Sequence, residues 1–161
     1  MTSFNFNDRF EYPTLTRVTG SLNFKKLNQL KNELKTNASS IQSDLGGGLN
    51  GHLGMITTAI EYTFIDITPY IRHVNPPALN IPRATMKHEA NRWREEHKEQ
   101  QMLFREQVAL EKTLFKLMSD ALPAMYLMPF CNDKSHAISL PISDILENLI
   151  LTYGVIEEEE F

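Results

Sequence analysis

A chain of 161 residues, 42% of them apolar, can bury the core of one domain and is too apolar to stay disordered. Its formal charge of -4 withholds the basic face that nucleic acid requires. The single cysteine, Cys131, excludes an internal disulfide and a thiolate-rich zinc site, and fits a reducing compartment.

Residues 1–20 hold Pro13, Gly20 and several β-branched residues, and are expected to form an extended N-terminal arm or short strand. The segment Met1 to Glu11 has no basic and no apolar stretch of the kind a signal peptide needs. No apolar run is long enough to span a bilayer, so no membrane contact is expected. From Ser21, a plausible N-cap, Leu22, Leu27, Leu30 and Leu34 recur at helical spacing to about Thr36 or Asn37. A second short helix, 38–45, should end in the glycines, with Gly46 as a left-handed C′ residue. Thr57-Thr58 can cap a helix through about Asp66.

The stretch 70–82 carries Pro76, Pro77 and Pro82 and reads as an extended surface connector. Between Ala84 and Leu122 there is neither glycine nor proline, and strong helix formers dominate, which predicts one long helix over about 84–122. Its halves differ. Lys87 to Gln101 has only Ala90, Trp93 and His97 as a thin seam on a charged cylinder, expected to be solvated or covered by another subunit. Met102 to Leu122 has a broad apolar face that includes Leu110, Leu114 and Met118, and is expected in the core. A short turn or helix at Pro123, a loop over 129–140 and a last helix opened by Pro141 complete the chain. The fold class is therefore all-α: an arm over 1–20, a helical domain over 21–156 and an acidic tail over 157–161.

Five of the seven glycines fall in Leu45–Gly54, and Gly46, Gly48 and Gly51 match G-x-G-x-x-G. That fingerprint belongs between a strand and a helix in a parallel sheet, whereas a polar, helical stretch precedes it here and no βαβ alternation follows. The run is expected to be a structural turn built on Gly46, Gly47, Gly48, Gly51, His52 and Gly54. His52 would pin it by donating a ring N–H to a backbone carbonyl. His88-Glu89 opens an H-E-x-x-H pattern that Arg92 breaks, so the two-histidine zinc geometry is missing. Cys131 with His136 is the only local nucleophile–base pair, without a protease-like surround. Neither catalytic residues nor a cofactor, metal or small-molecule substrate is expected. Trp93, the only tryptophan, would either anchor the glycine loop or contact another subunit.

Several stretches together resemble a known family. They are Asn37-Ala38-Ser39-Ser40-Ile41, Leu45-Gly46-Gly47-Gly48 with Gly51-His52-Leu53-Gly54, Thr68-Pro69-Tyr70, Glu96-His97-Lys98 with Leu103-Phe104-Arg105-Glu106, and Asp144 to Leu149 leading to Thr152-Tyr153-Gly154. Their order resembles the N-terminal part of the Gag-like capsid proteins of Copia-type LTR retrotransposons, over about residues 13–156. The resemblance implies a non-enzymatic, helical shell protein that associates with many copies of itself, in the cytoplasm, in virus-like or filamentous particles. Such Gag proteins continue into a further helical region and often a zinc knuckle, neither of which this chain carries. RNA is accordingly expected to be held only through a region outside it. The residues expected at assembly contacts are Phe4, Phe6, Phe10, Tyr70, Arg72, Trp93 and Arg94. The alternative is a helical protein-binding adaptor derived from such an element.

Overall fold

A computed structural model describes residues 4–43 and 50–154. Gly46, Gly47, Gly48 and the acidic tail lie outside the described residues. The described chain is all-α, with one isolated bridge between Cys131 and Ile138 and no strand among the described residues. The helices are α1 (Phe24–Ser39), α2 (Ala59–Thr63), α3 (Lys87–Ala121) and α4 (Ile142–Tyr153). Short 3-10 turns occupy Leu53–Met55, Ala124–Tyr126 and Met128–Phe130.

Helix α1 is capped by Asn23, not Ser21: the Asn23 carboxamide accepts the Lys26 N–H at 2.9 Å. The Lys26 ammonium reaches back to the Thr19 and Ser21 carbonyls, which keeps Ser21 outside the helix. The expected second helix over 38–45 does not form as a separate element. Helix α1 runs on to Ser39, and 41–43 leave it with Ile41 buried. In α2, Thr58 and Glu61 form a reciprocal capping box, as Thr57-Thr58 suggested, although the helix ends at Thr63 rather than near Asp66.

Helix α1 packs against both α3 and α4. Leu27, Leu30 and Leu34 meet Leu110, Leu114 and Met118 from the second half of α3, and Ile142, Ile145, Leu146 and Leu149 from α4. Burying each such side chain contributes about 1.5–3 kcal/mol, so this apolar junction dominates stability. The first half of α3 has only Ala90 buried, as its thin seam implies.

Two extended segments are strapped across the helices. The N-terminal arm does not project: Phe6, Phe10, Leu15 and Val18 are buried in the core, and Val18 donates its N–H to the Ala121 carbonyl at 2.8 Å. Phe4, Phe6 and Phe10 stack in series, with centroids 5.9 and 6.2 Å apart. Phe6 and Phe10 are thus core residues rather than assembly contacts, and Phe4 is half-buried against the same core. Burying phenyl rings in the gap beside the helices is worth more than leaving them for a partner.

The connector runs antiparallel to α3. Arg72 pairs with Glu111 at 2.7 Å, His73 with Gln107, and the Pro77 carbonyl with His97 Nε2 at 2.9 Å. Four extended residues from His73 to Pro77 span about 13 Å at a polyproline-like rise, against about 15 Å for the ten helical residues from Gln107 to His97. The two tracks therefore stay in step. The first half of α3 is accordingly covered in part by the chain's own connector, which a reading of the helix alone assigned to solvent or a partner.

Candidate functional site

The straps are held by buried polar side chains standing on otherwise apolar helix stripes. Asn37, fully buried, accepts the Tyr12 N–H at 3.0 Å and donates to the Tyr12 carbonyl at 2.8 Å. Gln107 does the same for His73, at 2.6 and 3.1 Å. Each carboxamide thereby satisfies both backbone groups of one extended residue, as a neighbouring strand would. Glu33 adds a third grip, accepting the Thr16 N–H at 2.7 Å and the Thr16 hydroxyl at 2.9 Å. None of these three was singled out from the sequence. The signal was nevertheless there: Asn37 continues the Leu27, Leu30, Leu34 stripe, and Gln107 interrupts the one that holds Leu103, Leu110 and Leu114.

Gly51 and His52, at the described end of the glycine run, pack against the C-terminal end of α1. The His52 N–H donates to the Ala38 carbonyl at 3.1 Å. Gly51 has φ +57°, and a Cβ there would collide with the Ile41 and Ser39 carbonyl oxygens. These carbonyls sit at the negative end of the helix dipole, which repels a phosphate. The physical environment of Gly51 is thus that of a packed turn. Gly54 has a different reason: a Cβ would overlap the ring of Tyr70.

His52 is buried, and its Nδ1 lies 2.7 Å from the Tyr70 hydroxyl, with the rings edge to face at 5.9 Å. The sequence reading gave His52 a pinning role; the structure adds a partner it did not name, a phenol brought in after Pro69. Burial pushes the Tyr70 phenol above its ordinary value, so it stays protonated. Tyr70 also packs against Tyr62, and it fills the anchoring place that Trp93 was offered for. Trp93 is half-buried on the first half of α3, about 25 Å along the helix from Leu110. Arg94 is exposed and hydrogen-bonded to Asn91 at 2.9 Å. The seven residues expected at contacts therefore divide: Phe6 and Phe10 in the core, Phe4, Tyr70, Arg72 and Trp93 partly covered, Arg94 open.

Cys131 is half-buried and directs its thiol to the Leu127 carbonyl at 3.6 Å; His136 stands in an exposed turn with φ +57°. Among the described residues no group of three or more His, Cys, Asp and Glu is placed to hold a metal ion.

A cleft of about 520 Å³ lies between α2, the start of the connector and the first turns of α4. Ile60, Tyr62, Ile67 and Tyr70 give it apolar walls, and Asp66, Asp144 and Glu147 give it acidic ones. Beside it the surface is unusually apolar: Ile60 is 75% exposed, Phe64 87% and Ile67 100%. Ile71 and Val74 continue the exposed run along the connector. Such a run of exposed large apolar side chains makes this the candidate docking surface of the molecule. The sequence reading passed over it, because an apolar residue in a short helix reads as core until the neighbouring layer is known.

No family model, curated protein or solved structure matches this chain.

Proposed function

We propose that this protein is a structural, self-assembling component, of the Gag-like capsid kind, that builds a shell or tube from many copies of itself. The observation that carries the proposal is the run of exposed large apolar side chains from Ile60 to Val74. The backbone beneath it is held by buried pins, the His52–Tyr70 and Gln107–His73 contacts, so the patch is presented on a rigid base. The resemblance of its ordered motifs to those of Copia-type Gag proteins is in keeping with the same reading. In this reading the chain is non-enzymatic, its principal partner is itself, and any RNA is held by a region outside it.

Light scattering behind size-exclusion chromatography and negative-stain microscopy, across concentration and salt, test the proposal. Growth of large species or particles is the expected result. A sharp monomer at high concentration, with no particles in any salt, overturns it, and a small fixed oligomer favours the adaptor alternative. The Phe64→Asp variant should lose assembly while its melting temperature stays within about 2 °C of the parent, because an exposed residue contributes little to the fold.

A further inference from the structure

Outside α3, where both signs interleave, two parts of the chain carry opposite charge. Residues 12–60 carry Arg17, Lys25, Lys26, Lys31 and Lys35 against Glu33 and Asp44. Residues 57–70 carry Glu61 and Asp66 with no lysine or arginine, and α4 carries Asp144 and Glu147 with none.

The fold turns this segregation into two unlike faces. On the acidic side, Asp66, Asp144 and Glu147 line the cleft between α2 and α4. Arg72, the only lysine or arginine in that lining, is already matched by Glu111 at 2.7 Å. Asp144 and Glu147 form no ion pair among the described residues. Thr57 also lines the cleft, is 3% exposed, and has a hydroxyl with no hydrogen-bond partner. A buried polar atom left unmatched is costly.

On the basic side, the solvent stripe of α1 opposite its buried leucines runs through Lys25, Asn28, Asn32 and Lys35. Phe24, 40% exposed, stands beside it. Two other lysines of α1 are engaged within the chain, Lys26 with the Thr19 and Ser21 carbonyls and Lys31 with Glu61. Lys25 and Lys35 have no carboxylate partner among the described residues. The stripe therefore offers two ammonium groups, two carboxamides and one phenyl ring. The cleft offers carboxylates, an unmatched hydroxyl and apolar walls.

We propose that the cleft between α2 and α4 receives the Lys25–Lys35 face of α1 from a second copy of the chain, head to tail. The inference rests on the self-assembly reading above and adds the two faces and their chemistry. A contact between two different faces of one chain is heterologous, so it propagates into a ring or a helical tube. Its charged rim makes it weaken with salt.

The test uses the full chain and two double variants, Asp144→Lys with Glu147→Lys, and Lys25→Glu with Lys35→Glu, followed by sedimentation velocity at about 50 and about 500 mM salt. Each variant alone should weaken association by about tenfold or more at the lower salt. An equimolar mixture should recover it, because each variant then meets a complementary face on the other. Circular dichroism melting verifies folding, and the milder Asp144→Asn with Glu147→Gln pair replaces the reversal if that unfolds. A wild-type chain that never associates overturns both the inference and the self-assembly reading. Association that persists in both variants overturns the inference alone. Loss in both variants without recovery in the mixture overturns the head-to-tail pairing.

Discussion

The N-terminal arm and the connector are two extended straps fastened by the same device, yet they face opposite ways. In each, a buried carboxamide on a helix binds the backbone of one residue: Asn37 holds Tyr12, and Gln107 holds His73. The arm sends Phe6, Phe10, Leu15 and Val18 inward, whereas the connector leaves Ile71 and Val74 in solvent. The clamp satisfies backbone groups in both cases and so does not decide burial. The two straps differ in what they lie on: the arm is fastened to α1 through Glu33 and Asn37 and to the end of α3 through Ala121, whereas the connector from Arg72 to Pro77 is fastened to α3, at Glu111, Gln107 and His97. The first strap consequently belongs to the core, and the second leaves large apolar side chains in solvent.

That contrast can be broken by mutation, and the largest effect should come from the arm. Phe10→Ala is expected to cost about 3–5 kcal/mol in chemical denaturation, from lost transfer energy and the cavity left behind. Val74→Ala, its counterpart on the connector, should stay within about 0.5 kcal/mol. An equal loss from both would show that the connector is as much part of the core as the arm.

Next come the clamps. Asn37→Ala leaves the half-buried Tyr12 N–H and carbonyl without their partner and should cost about 2–3 kcal/mol of global stability, because the arm it fastens carries the buried Phe6, Phe10, Leu15 and Val18. Gln107→Ala exposes the equally half-buried His73 in the same way, but fastens a strap whose Ile71 and Val74 are already exposed, and should cost about 1–2 kcal/mol. Hydrogen exchange should then show faster exchange at the His73 amide with little change at Tyr12. Global destabilisation by Gln107→Ala equal to that of Asn37→Ala would argue against the distinction.

Smaller still is the loss on Tyr70→Phe, about 1 kcal/mol for the bond to His52. The ring itself stays packed on Gly54. The smallest effect is electrostatic and belongs to α2. Burial raises the Glu61 carboxyl, but the Lys31 ammonium and the Thr58 bonds more than offset it and hold it below its ordinary value. A depressed carboxylate contributes stability above its unfolded pKa and loses it as pH falls through the folded one. Unfolding midpoints measured from pH 6 down to pH 3 should therefore decline slightly less in Glu61→Gln than in the parent. Identical slopes would show that the Lys31–Glu61 pair contributes nothing measurable.

Much of the helical layout was legible because its signals are local. The long run without glycine or proline made α3, and the Ile142, Ile145, Leu146, Leu149 stripe made α4, to within a few residues. The Thr58 cap of α2 was legible for the same reason. The candidate site was much less so. Asp66 and Asp144 stand 78 positions apart and share a cleft only because α4 returns beside α2. Asn37 and Gln107 carry no role that local sequence can show, because their partners lie 25 and 34 residues away.

The sequence by itself determined the all-α class, the positions of α3 and α4 and the need for glycine at the turn before His52. Periodicity, propensity and backbone freedom all act within one or two turns of chain. Only the tertiary structure decided that the Phe6 and Phe10 rings go inside while Ile60, Phe64 and Ile67 stay outside. It also chose Tyr70 as the partner of His52 and placed acid and base on separate faces. The physical reason is that burial and pairing depend on what stands opposite a side chain, and that is set by the packing of distant segments.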